Sequence, residues 1–271
     1  MHAYVINLAR SRDRRVYITA HLDKIGIDHE IVTGVDGHGL DLGDQSIIAP
    51  SFRTSVYLAI GSAGCALSHL AVYRRIIEDG LDMALVLEDD VILPADMGDL
   101  TDAVGKALVG AEVALVSVDS WEPLKVSTQG AVPLPSSRSL AFPIDVFQPR
   151  SGGAYIITRA ACERMIEHNI PIRTTADDWG FFYSEGIIDR VRCVLPVSAK
   201  KNHNFSSTIG SYSLGSGVLG RMMAATMRHR IPVLHQMMAR RRSSIYRAKD
   251  LSLFTDEPFV RKPSRLDLFD F

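Results

Sequence analysis

A chain of 271 residues that is 46% apolar and 23% charged can bury the core of one large or two small α/β domains, and its composition excludes a disordered or fibrous protein. Its formal charge of −1 supplies no overall pull towards nucleic acid or anionic lipid, so no nucleic-acid partner is expected and any lipid contact must be local. Three cysteines (Cys65, Cys162 and Cys193) form no CxxC pair and leave an odd count, which argues against a disulfide framework and favours a reducing compartment.

The first residues run into Asn7 and the basic segment Arg10 to Arg15 without the apolar stretch of a signal peptide. No run reaches the roughly 18 apolar residues of a membrane span, so a cytoplasmic protein is expected. Ala3 to Leu8 is rich in β-formers and predicts a first strand. Ser11 is a good N-cap for a helix whose apolar positions Ile18, Leu22 and Ile25 keep helical spacing, and Gly26 ends it. His29 to Val35 predicts a second strand closed by Asp36-Gly37, the opening of a βαβ unit. The first loop lacks GxGxxG, which argues against a dinucleotide-binding dehydrogenase. Residues 37–60 show little periodicity and predict a loop over the sheet edge. From Gly61 to Glu78 two adjacent stripes, Ala66-Leu70-Tyr73-Ile77 and Cys65-His69-Val72-Ile76, predict a largely buried helix ended by Gly80. On spacing alone His69 is more often a hydrogen-bonded core histidine than a catalyst.

The next stretch, Ala84-Leu85-Val86-Leu87-Glu88-Asp89-Asp90-Val91-Ile92, runs four apolar residues into three consecutive carboxylates and back to apolar residues. The apolar run predicts a strand buried on both faces of a largely parallel sheet. Its C-terminal end is where open α/β sheets bind ligands. Adjacent carboxylates repel one another unless a cation or hydrogen bonds offset them. An acidic turn in water is one outcome. The apolar flanks hinder full solvation, and a divalent-metal site is the other.

Val113 to Val118 predicts a further buried strand. From Trp121 to Arg150 prolines and serines recur, predicting a long, partly mobile loop or hairpin region of the kind that covers active sites. Gly152-Gly153 then turns into a strand, and Thr158 caps a helix with Ala161, Cys162, Met165 and Ile166 inward. The glycine pair suits close approach of a ligand or a tight turn. Asp177-Asp178 precedes Trp179-Gly180-Phe181-Phe182. Asp177 is either a helix cap or a general base beside an aromatic platform suited to sugar rings. In 219–249, Leu219, Met223, Met227 and Ile231 are four apart among arginines, with no acid before Asp250. That basic segment, interrupted by Pro232, is an element for a lipid surface or partner, or a solvated face. The expected division is a domain over 1–210 and a basic extension over 211–271.

Gly64-Cys65-Ala66-Leu67-Ser68-His69-Leu70, followed by Leu81 through Val91, resembles the signature of glycosyltransferase family 25. Val5-Ile6-Asn7-Leu8, Val35-Asp36-Gly37 and Gly152-Gly153-Ala154-Tyr155 match its pattern too. The resemblance spans about residues 1–200 and stops at Ser207. Bacterial lipooligosaccharide β-galactosyltransferases and collagen galactosyltransferase domains belong to that family. The resemblance implies an α/β fold of the GT-A nucleotide-diphospho-sugar transferase type, with a mixed, mostly parallel sheet flanked by helices. It also implies a UDP-sugar donor, Mn²⁺ (or Mg²⁺), inversion at the anomeric carbon and an oligosaccharide or lipid-linked glycan acceptor such as lipopolysaccharide. Such an ion, bound by one or two carboxylates and the substrate phosphates, stabilises the leaving diphosphate.

Carried over, Glu88 and Asp90 take the acidic positions of the DxD-type motif. Asp90 is first for metal ligation, Glu88 is at the metal or the ribose, and Asp89 shares either task. Inversion needs a base, which falls on Asp177 or Asp178, Asp177 ahead. Asn7 and Asp36 fall where uracil and ribose sit. Ser68, His69, Gly152 and Gly153 join the donor site, and His203 is a candidate third metal ligand. A metal-dependent nucleotide-sugar hydrolase and a non-catalytic nucleotide- or glycan-binding scaffold are the alternatives. The basic segment 219–249 is expected to dock on an anionic surface, the inner face of the membrane.

Overall fold

A computed structural model describes residues 1–41, 43–53, 60–120, 123–205 and 252–259. The basic segment 219–249, and with it the expected membrane element, lies outside the described residues. Among the described residues no helix is long and apolar enough to cross a membrane.

The chain opens with β1 (Ala3–Asn7), α1 (Arg12–Ile25) and β2 (His29–Thr33). Ser11 holds the N-cap position of α1 without a side-chain cap bond, and Gly26 closes the helix at φ 70. The expected loop over 37–60 holds a 3₁₀ turn, Gly37–Gly39, and a short helix α2 (Pro50–Arg53). Then come α3 (Ile60–Glu78), β3 (Met83–Glu88), β4 (Val91–Ile92), α4 (Met97–Gly105) and β5 (Glu112–Leu115). The proline- and serine-rich region is not a loop throughout. It contains β6 (Leu124–Ser127) and the hairpin of β7 (Val132–Leu134) and β8 (Arg138–Ala141). Arg138 anchors that hairpin on Asp96 with contacts of 2.6 and 3.0 Å. The remainder is β9 (Ala154–Thr158), α5 (Arg159–His168), α6 (Trp179–Ser184), β10 (Arg190–Leu195), β11 (Lys200–Lys201) and β12 (Ser252–Thr255).

Eight strands form one sheet in the order β2-β1-β3-β9-β5-β10-β8-β7. Six of them run one way; β9 and β8 run against them. The sheet is therefore the mixed, mostly parallel one expected, with one local difference: β3 lies parallel to β1 but antiparallel to β9. Alternation along the strands sorts side chains between two cores. Ala3, Val5, Leu85 and Leu87 pack with Ile18, Leu22 and Leu100 from α1 and α4. Tyr4, Ala84 and Val86 face Leu70, Tyr73, Met165 and Trp179 from α3, α5 and α6. Ala84 to Leu87 have no exposure, as a strand covered on both faces requires.

Candidate active site at the ends of β1 and β3

The chain goes from β1 to β2 on one side of β1, then crosses back to enter β3 on the other. That reversal opens a crevice beyond the carboxyl ends of β1 and β3. A cleft of about 570 Å³, its solvent mouth included, lies there between Ile6, Leu8, Val35, Asp36, Cys65, His69, Glu88 and Asp89. Helix α3 forms one wall. A Cβ on Gly64 would sit 2.6 Å from the Gly37 nitrogen, so only glycine lets the helix press on the loop after β2. Ser68 Oγ locks that contact, accepting from the Val35 N–H at 2.8 Å and donating to the Gly64 carbonyl at 2.7 Å. Asp36 takes the His38 N–H at 3.1 Å and pairs with Arg10 at the rim.

The three acids have three different fates. Asp89, 6% exposed, accepts from Arg14 Nη1 at 2.7 Å and from Asn7 Nδ2 at 2.7 Å. Asp90, 2% exposed, has Arg14 Nη1 and Lys201 Nζ each 3.3 Å away. The short ladder of β11 with β4 brings Lys201 there. Glu88 keeps 27% of its side chain open to the cleft. Burial, then the neighbouring Asp90 carboxylate, push its pKa up to about 7. Asp89 and Asp90 are thus paired with cationic side chains, whereas Glu88 turns its carboxylate to the cleft.

A second cleft of about 340 Å³, mouth included, adjoins the first and shares Cys65 and Glu88 with it. Its far wall is Gly152, Thr175, Ala176 and Asp177. Because β9 runs against β3, its first residues lie beside the last of β3, and the Glu88 N–H donates to the Gly153 carbonyl at 2.8 Å. Trp179 Nε1 donates to the Ser151 carbonyl at 3.1 Å, fixing the loop that leads to α6. Asp178 holds the N-cap position of α6 but makes no side-chain cap bond. Its carboxylate accepts from Thr174 at 2.7 Å and meets Arg150 at 3.1 Å. Asp177 faces the cleft. Burial raises its pKa, against opposing influences from the Thr175 hydrogen bond and the Arg150 charge.

Below both clefts His69 is 1% exposed, with Nδ1 2.6 Å from the Tyr155 hydroxyl, itself 2.8 Å from that of Tyr73. Burial lowers the imidazole to about 4, so the ring is neutral at physiological pH. Cys65, His69 and Glu88 form the one group of three metal-capable side chains within ligand reach among the described residues.

The family model described as Glycosyltransferase family 25 (LPS biosynthesis protein) matches residues 1–134, which supply β1, β2, α3, β3 and the three acids. Residues 1–134 of this chain are thus similar to glycosyltransferase family 25. A family 25 member of Anopheles gambiae is 33% identical over 99 residues, covering 33% of this chain and 16% of that protein. Procollagen galactosyltransferase 2 of Homo sapiens is 36% identical over 95 residues, covering 32% and 15%. The human inactive glycosyltransferase 25 family member 3 is 37% identical over 98 residues, covering 32% and 16%. The chain thus spans only about a sixth of these relatives. A mannose-1-phosphate geranyltransferase structure from Thermus thermophilus is 13% identical, covering 70% of this chain and 58% of that one, at a TM-score of 0.27, too low to bear on fold or activity.

Of the residues singled out by the family 25 motif, the structure gathers Asp36, Ser68, His69, Glu88 and Asp89 on the first cleft, and Glu88, Gly152 and Asp177 on the second. Gly153 sits directly behind Gly152. Asn7 is buried behind the first cleft, with Nδ2 donating to Asp89 and to the Ser11 carbonyl. Asp90 lies inside its ion pairs, and His203 is exposed and outside the three-residue group. Arg14 is the residue sequence reasoning passed over. It sits four before Ile18 and eight before Leu22, and these three are the buried positions of α1, so an arginine at the head of an apolar stripe was the available signal.

Proposed function

We propose that this chain transfers a hexose, galactose foremost, from a UDP-sugar to a hydroxyl of a glycan, inverting the anomeric carbon. The observation that carries this reading is Glu88 standing in the wall shared by two clefts, with Asp177 across the second. In the first cleft Ile6, Leu8 and Val35 offer apolar surface to a nucleobase, and Asp36 offers acceptor oxygens to a ribose. Glu88 directs its carboxylate to where the diphosphate meets the sugar. Its unneutralised charge suits a divalent cation, Mn²⁺ or Mg²⁺ on the family pattern, which when bound supplies charge stabilisation to the departing diphosphate. Asp90 and Asp89 hold Arg14 and Lys201 in place behind it.

In the second cleft Asp177 takes the proton of the acceptor hydroxyl as the bond to the anomeric carbon forms. Its raised pKa brings a carboxylate closer to the working pH, which favours a general base. Asp178, tied to Thr174 and Arg150, orients the loop. The relatives named procollagen galactosyltransferase support galactose, and the family description, with its reference to LPS biosynthesis, supports a lipid-linked glycan acceptor. The basic segment 219–249 supports an acceptor presented at an anionic membrane surface on the cytoplasmic side. Relatives named inactive favour a second reading, a scaffold that binds nucleotide sugar without turnover.

One assay separates the readings: a UDP-sugar panel with Mn²⁺ and a lipid-linked oligosaccharide, following UDP release and acceptor mass together. Acceptor-dependent release with a mass gain of one hexose supports transfer. Equal release without acceptor indicates hydrolysis, and binding without release indicates the scaffold.

A further inference from the structure

Cys65 and His69 stand four residues apart on α3, so their side chains share one face of the helix. Glu88 ends the strand that this face covers. One donor atom from each of the three lies within 4.8 Å of the others, and His69 Nε2 is 4.0 Å from Glu88 Oε1. The ring is held from behind by Tyr155 at Nδ1, whereas Nε2 is buried and has no hydrogen-bond partner among the described residues. Polar atoms buried at that depth are ordinarily partnered, because an unmade bond costs free energy. Gly152 leaves the space in front of it open: a Cβ there would sit 3.2 Å from Nε2 and 3.5 Å from Glu88 Oε1.

We propose that Cys65, His69 and Glu88 form a three-donor site for a borderline-soft divalent ion of the zinc class, with a fourth position open to the donor cleft. Thiolate and imidazole select such an ion over Mg²⁺ or Mn²⁺, which prefer all-oxygen surroundings. Zinc bonds of about 2.3 Å to sulfur and about 2.0 Å to nitrogen or oxygen require the donors to close in by on the order of 1 Å. Glu88, with 27% of its side chain open, has room for that movement. With Nδ1 as the protonated nitrogen donating to the Tyr155 hydroxyl 2.6 Å away, Nε2 keeps its lone pair for the ion, the arrangement by which outer groups orient a metal-binding histidine. The proposal rests on the transferase reading for the place of the donor cleft and replaces the Mn²⁺ or Mg²⁺ of the family pattern at Glu88 with an ion of the zinc class; ion binding itself needs no nucleotide.

The test is a titration of the untagged full-length chain with Co²⁺ alone, read by absorbance. One equivalent is expected to raise a thiolate-to-cobalt charge-transfer band with tetrahedral ligand-field bands, abolished by stoichiometric Zn²⁺ and unaffected by excess Mg²⁺. Cys65→Ser is expected to remove the charge-transfer band. His69→Gln and Glu88→Gln are each expected to weaken binding by about 10- to 100-fold or more. X-ray absorption on the zinc-loaded wild-type protein gives the ligand set without any variant, so a variant that does not fold leaves the proposal exposed to refutation. A shell of one sulfur and at least one imidazole supports it. A shell of oxygen alone, or a charge-transfer band that survives in folded Cys65→Ser, overturns it. Either result stands apart from the transfer assay, which reads sugar movement rather than ion binding.

Discussion

Arg14 Nη1 lies 2.7 Å from Asp89 and 3.3 Å from Asp90, so one buried guanidinium from the first helix serves both of the acids that follow Glu88. Removing it leaves two carboxylates in the interior, with Asn7 beside one and Lys201 beside the other. Arg14→Met is expected to cost about 3–5 kcal/mol of stability, as breaking a buried ion pair does. Urea denaturation measures this; a loss within about 1 kcal/mol would show that the pairing is a surface-grade one.

The two acids of the second spot separate by substitution. Asp177→Asn is expected to lower kcat by about 10²- to 10⁴-fold with little change in donor KM, the loss typical of a missing general base. Asp178→Asn, which keeps a hydrogen-bonding group near Thr174 and loses only the charge facing Arg150, is expected to cost far less. Steady-state kinetics on both variants decide it, and equal losses would move the base assignment away from Asp177.

The pH profile carries a sign. A base works deprotonated, and Asp177 has its pKa raised, chiefly by burial. Activity is therefore lost as pH falls through a value above the ordinary carboxylate range of about 4. Arg150 opposes that rise, so Arg150→Gln shifts the acid limb of kcat/KM to still higher pH. A limb that stays where it was would detach Arg150 from the base.

Gly152 does not use a left-handed backbone, so Gly152→Ala tests space rather than conformation. The added methyl meets His69 Nε2 and Glu88 Oε1 at 3.2 and 3.5 Å. The fold is expected to survive while turnover falls by roughly 10²-fold, since small displacements at a reacting site are costly. Thermal unfolding and kcat measured side by side check it.

The parts of this site written in one stretch of chain were legible from residues alone. The buried strand running into Glu88-Asp89-Asp90 declares itself by apolar run and charge, and the double stripe of α3 by period. What local pattern cannot carry is direction. Nothing in Ala154 to Thr158 says that the strand lies against β3 rather than with it, yet that choice sets Gly152 beside Glu88. The division of work among the acids was equally hidden, because it depends on Arg14 and Lys201, cations far away in sequence. Cys65 and His69 read as core residues because both do pack into the interior; only the orphaned ring nitrogen marks them as more.

The insertion of β9 between β3 and β5 has a consequence for synthesis and engineering. The segment matched by the family model, 1–134, contains β3 and β5 but not the strand that joins them. Cut there, the fragment would leave β3 with one unpaired inner edge and β5 with two, each a template for association with another chain. The recognisable half is thus not a unit that stands by itself. A nascent chain acquires a closed centre only once the ribosome has delivered the residues past 158, and truncations meant to isolate the motif should be expected to aggregate.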